Sequence, residues 1–118
     1  MPEIKMLIQE QKEELVDMAW ETVLKRTLKP REKMYFSMFG TKYKLFDGKI
    51  EEVMPEIDKL TNLFRTKVPE YEANTESTFW ILDKHLTGRL GRNPNADTIT
   101  TIKEIIRDLT DNINRRFK

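Results

Sequence analysis

The chain has 118 residues, 35% of them charged and 38% hydrophobic, with a net charge of +1, a single His and no Cys. That length fits one domain over residues 1–118 and allows a core to form without covalent staples. The absence of Cys excludes disulfides and thiolate chemistry. No apolar run approaches the roughly 18–20 residues of a membrane span. The opening MPEIKMLIQEQKEE lacks a basic, apolar leader pattern, so a cytoplasmic protein is expected.

The small net charge conceals segregation. Residues 1–24 sum to −4, residues 25–49 to +6, residues 50–78 to −4 and residues 79–118 to +3. Such blocks either pair inside the fold or leave one face positive toward an anionic partner.

In chain order, the first segment repeats Ile4, Leu7, Ile8, Leu15, Met18, Ala19, Thr22 and Val23 at helical steps, with acids opposite. Its Glu10/Glu13 and Glu14/Asp17 pairs have the spacing with which all-α nucleotide pyrophosphohydrolases hold magnesium. We read them as a solvated face. The second segment starts at Pro30, which suits a first helical position, and its helical spacing predicts Tyr35, Phe39 and Phe46 on the buried side. FDGK breaks that pattern, with Asp47 a candidate cap and Gly48 free to take unusual backbone angles.

The third segment repeats Ile50, Val53, Ile57, Leu60, Phe64 and Val68. Pro55 interrupts it, and a kink or short break is expected there. A hairpin turning at Asp47–Gly48 is the competing reading. The fourth segment, starting near Pro69 or capped by Asn74 or Thr75, points Phe79, Leu82, Leu86 and Leu90 inward. TGRLGRNPN is the most loop-like stretch. The fifth segment runs from Pro94 or Asp97 with Ile99, Ile102, Ile106, Leu109, Ile113 and Phe117 as its seam. Together these predict an all-α, single-domain antiparallel bundle of four to five helices.

Signatures of catalysis are missing. With one His and no Cys, zinc sites built from those ligands cannot form within one chain. There is no Glu-x-x-His pair for a di-iron site and no phosphate-binding glycine loop. No cofactor is expected. RNPNADTITTIKEIIRDL resembles the end of a Cro/repressor-type domain, but STFWILDKHLTGRL before it reads as one continuous helix instead of two short ones.

The least average stretch is residues 24–49. It holds eight of the 21 Lys and Arg and five of the eleven aromatics. On a helix, Phe36 and Tyr43 form a second stripe beside Gly40, flanked by Lys33 and Lys44. Outward-facing, those rings stack bases while Lys25, Arg26, Lys29, Arg31, Lys33, Lys42 and Lys44 hold phosphates, with Arg89 and Arg92 as a second patch. Inward-facing, the rings are core and the lysines extend past them to water.

Trp20 and Trp80 fall off the main seams. Exposed, they would anchor a protein partner or a second copy of the chain. The leading expectation is therefore a nucleic-acid-binding domain, possibly homo-oligomeric. The alternative is a protein-binding regulator, inhibitor or immunity-type bundle acting through the tryptophans.

Overall fold

The computed structural model describes residues 27–46 and 48–118, together with Glu14, Asp17, Met18 and Glu21. Trp20, Lys25, Arg26, Asp47 and most of the first apolar stripe lie outside the described residues. Among the described residues the chain forms α1 (Pro30–Lys42), α2 (Lys49–Lys67), a 3-10 turn (Pro69–Tyr71), α3 (Thr75–Arg92) and α4 (Thr98–Arg116), with no strand. The hairpin alternative does not form. The all-α bundle read from the periodicity does.

α1, α3 and α4 begin where local side chains satisfy backbone N–H groups. Pro30 is the first residue of α1, and the Lys29 N–H donates to Glu32 Oε1 at 3.1 Å. The Asn74 side chain accepts from the Ser77 N–H at 2.8 Å, and Asp97 Oδ2 accepts from the Thr100 N–H at 2.9 Å. Those Thr100 hydrogen bonds hold the Asp97 carboxyl below the usual carboxylate range. Gly48 precedes α2 with φ 95°, a conformation that L side chains resist.

Two expectations for helix geometry are corrected. α2 runs unbroken through Pro55, because Pro55 and Glu51 both lie on the exposed side and the carbonyl freed by the missing donor meets water. The second segment stops at Lys42 and never reaches Phe46 as a helix. It ends in a Schellman turn, with the Leu45 N–H on the Gly40 carbonyl at 2.8 Å and the Lys44 N–H on the Thr41 carbonyl at 3.2 Å. Lys44 occupies the left-handed position at φ 58°, and Leu45 is buried just beyond it. Phe46 folds back over Gly40, where an added Cβ would overlap its ring.

The most extensive packing is α2 on α4, followed by α3 on α4 and α1 on α3. Met54, Ile57, Leu60, Leu82, Leu86, Ile102 and Ile105 are fully buried where these faces meet. Phe117, predicted as the last residue of the α4 seam, is exposed because the helix ends at Arg116. Between α2 and α3 the buried Thr61 and Thr78 hydroxyls bond each other at 2.6 Å. Each also has a carbonyl within reach one turn back, Ile57 and Asn74 respectively, so both hydroxyl protons have an acceptor and neither polar atom is stranded.

Two stability measurements follow from these elements. Leu82→Ala leaves a void in a fully closed core and should lower unfolding free energy by about 2–5 kcal/mol in urea titrations. Lys44→Gly relieves the left-handed backbone at the α1 turn and should raise it by roughly 0.5–1 kcal/mol, an effect that Lys44→Ala would not reproduce.

Candidate functional site: the groove between α1 and α3

The rotation of α1 decides what its surface offers. Phe36, Phe39, Gly40 and Tyr43 are buried, whereas Tyr35 is half-buried and Phe46 exposed. The buried arc is thus turned from the predicted one by somewhat less than the roughly 100° that one residue subtends. Phe36 and Phe39 pack on Phe79 of α3, with ring centroids 6.4 and 4.9 Å apart, and Phe39 also meets Tyr43 at 5.0 Å. The expected stacking platform of Phe36 and Tyr43 is therefore corrected. Phe36 is 1% exposed and Tyr43 9%, and neither offers a face to a base.

Four of the cations expected to hold phosphates are turned to separate acidic partners. Arg31 pairs with Glu76 on α3 at 3.1 Å. Lys33 reaches Asp17 at 3.6 Å and Glu21 at 3.9 Å in the first segment. Lys42 meets Asp83 at 2.6 Å, and Arg89 meets Asp108 at 2.8 Å. These are mostly exposed pairs, each contributing roughly 0–1 kcal/mol, yet they spend positive charge inside the molecule in three directions. Lys29, Lys44 and Arg92 stay exposed at helix ends: Lys29 before α1, Lys44 in its closing turn and Arg92 at the end of α3. The structure spreads the described ones among the predicted phosphate contacts over separate ion pairs and helix ends, Lys25 and Arg26 lying outside the described residues.

What it gathers instead is a groove of about 610 Å³ between α1 and α3. Tyr35, Met38 and Phe39 line it from α1, and Phe79 and Trp80 from α3. The Tyr35 ring meets Trp80 edge-on at 5.1 Å and 88°, so the indole is held by one edge while remaining 47% exposed. Met38, at 58% exposed, stands beside it. Trp80 is one of the two tryptophans that the alternative reading of the sequence named as anchors if exposed; Trp20, the other, lies outside the described residues. Tyr35 as the neighbour of Trp80 was not expected, since it was assigned to the buried stripe.

One end of the groove is tied by a polar cluster. The Tyr43 phenol donates to Asp83 Oδ1 and lies 3.0 Å from Thr87 Oγ1. Lys42 Nζ donates to the same Asp83 oxygen at 2.6 Å and to Thr87 Oγ1 at 3.3 Å. Burial opposes the Asp83 charge, but the Lys42 and Tyr43 hydrogen bonds outweigh it and hold the carboxyl below its usual range. The hydrogen bond to Asp83 raises Lys42, and burial raises Tyr43. Each group is pushed deeper into its resting protonation state, away from the near-neutral values that suit acid–base catalysis. The cluster therefore acts as a latch that fixes α1 against α3. Its sequence signal was available: Asp83 and Thr87 are the helical neighbours of Trp80, one and two turns along.

His85 is exposed. Among the described residues no three His, Cys, Asp or Glu side chains come together as a metal site, and no helix is long and apolar enough to cross a membrane. Comparison with protein families, curated proteins and solved structures finds no match to this chain.

The latch has a pH signature. With its folded pKa below the roughly 3.9 of an unfolded Asp, Asp83 contributes stability that is complete above that value and disappears as pH falls through the folded one. Asp83→Asn should lower the urea midpoint at neutral pH and make its decline in acid shallower than in the parent. Tyr43→Phe should cost about 1 kcal/mol at neutral pH.

Proposed function

We propose that this chain is a non-enzymatic protein-binding module whose contact surface is the α1–α3 groove. The observation that carries this reading is Trp80: a large ring half open to solvent, fixed in orientation by Tyr35, beside an open apolar groove. Buried-centre tryptophans dominate the energetics of protein interfaces because they remove a large area from water at little entropic cost. Methionine beside them adapts to the shape of what docks. Binding to nucleic acid, the reading that the basic segment first suggests, loses its stacking rings to the core and much of its charge to internal pairs.

The test places a photo-crosslinking amino acid at Met38 in the cells that make the protein. A polypeptide adduct is expected, and Trp80→Ala should weaken the interaction by about 2 kcal/mol, roughly thirtyfold. Arg31→Glu with Lys33→Glu should leave it unchanged. In parallel, the purified chain is titrated with single- and double-stranded DNA and RNA at two salt concentrations. Tight, salt-dependent polynucleotide binding that survives Trp80→Ala and is lost in the charge-reversed variant would overturn the proposal.

A further inference from the structure

We propose that a second groove, between α2 and α4, binds a small phosphate monoester, at a site separate from the α1–α3 surface. This groove, of about 560 Å³, receives Lys59 from α2 and Lys103 and Arg107 from α4. All three are exposed, and none makes an ion pair with a described residue. They differ in this from Arg31, Lys33, Lys42 and Arg89, each of which meets a carboxylate. Asp108, next to Arg107 in the chain, is engaged by Arg89.

Helix geometry brings two of these cations level. The Thr100 hydrogen bonds, and more weakly the nearby Lys49 charge, hold the Asp97 carboxyl below its usual range. The first residue of α2 is therefore close to the cap of α4, and the two helices run side by side in the same direction. Lys59 lies ten residues beyond Lys49, and Arg107 ten beyond Asp97. At about 1.5 Å per residue they stand at one height on opposite walls of the groove. Lys103 lies one turn before Arg107 on the same face of α4. Three like charges gathered in this way repel one another until an anion sits among them.

The surroundings select among anions. Glu56 lies one turn before Lys59, and Asp111 one turn beyond Arg107, both in the same groove. A carboxylate toward each end opposes a chain of repeating phosphates laid along the groove, whereas a single compact anion meets the cations between them. A phosphate monoester carries about −1.5 to −2 charges at pH 7, a closer match to three cations than one carboxylate is. Arg107 offers a planar fork to two oxygens, and the lysines act as point charges beside it. Leu63 and Ile106 line the same groove and give the carbon body of an ester an apolar contact that bare phosphate cannot use.

The experiment is a calorimetric titration of the full chain with phenyl phosphate at constant ionic strength, with inorganic phosphate and an oligothymidylate as comparison ligands. Saturable binding of phenyl phosphate is expected, tighter than that of inorganic phosphate. Lys59→Gln and Arg107→Gln should each weaken it about tenfold, the loss of one charge-assisted contact. Both side chains are exposed, so the variants should keep the parent's helicity by circular dichroism. Arg92→Gln, which removes an exposed charge outside the groove, and Trp80→Ala should leave the affinity unchanged. The proposal is overturned by an absence of saturable binding, by an equal loss in Arg92→Gln, or by inorganic phosphate binding as tightly as the ester. An oligothymidylate that binds more tightly through the same cations also overturns it. Any of these results leaves the reading of the α1–α3 groove standing, because Trp80 belongs to the other surface.

Discussion

The packing of Phe36 and Phe39 of α1 onto Phe79 of α3, with Tyr43 against Phe39, sets everything else about this surface. Phe36, Phe39 and Tyr43 turn toward α3, and their burial outweighs any alternative rotation of the helix, since each ring takes a large apolar area out of water. Once that rotation is set, the remaining side chains of α1 have no choice of direction. Tyr35 and Met38 come to the groove, Lys33 to the acidic first segment, and Lys42 to Asp83.

The Tyr43 phenol shows why this rotation tolerates a polar group at its edge. Its hydroxyl sits where α1 leaves α3, and Asp83 and Thr87 satisfy it. A phenylalanine there would pack but would not register the helix. The hydroxyl supplies direction and the ring supplies area, so the same residue contributes to the core and to the latch. The latch in turn holds the rim of the groove, which makes Trp80 part of a rigid surface and not a loose exposed ring. Pre-organisation of this kind lowers the entropic cost of binding.

The charge blocks along the chain find their explanation in the same arrangement. Acidic and basic stretches that alternate in sequence become neighbours in space: the basic α1 meets Asp17 and Glu21 on one side and Glu76 and Asp83 on the other. Individually such exposed pairs contribute little. Collectively they turn part of the basic segment toward acidic partners within the molecule.

Local chemistry alone determined much of this fold. The helical periods, Pro30 at the start of α1, Asn74 and Asp97 among the proposed starts of α3 and α4, and most inward residues of α2, α3 and α4 could be read from the sequence, because periodicity and capping depend on residues a few positions apart. Met54 and Ile105 were missed and Phe117 was misplaced. The end of α1 could not. Lys44 in a left-handed turn is a residue where glycine is usual, so Phe46 was counted on a helix it never joins and the buried arc was placed one ring too early. Whether Phe36 and Tyr43 face out or in depends on Phe79 and Asp83, some forty residues away, and on how much area each rotation buries. Those are properties of two helices packed together. Only the tertiary structure could decide them, and with them which aromatic stays in the solvent.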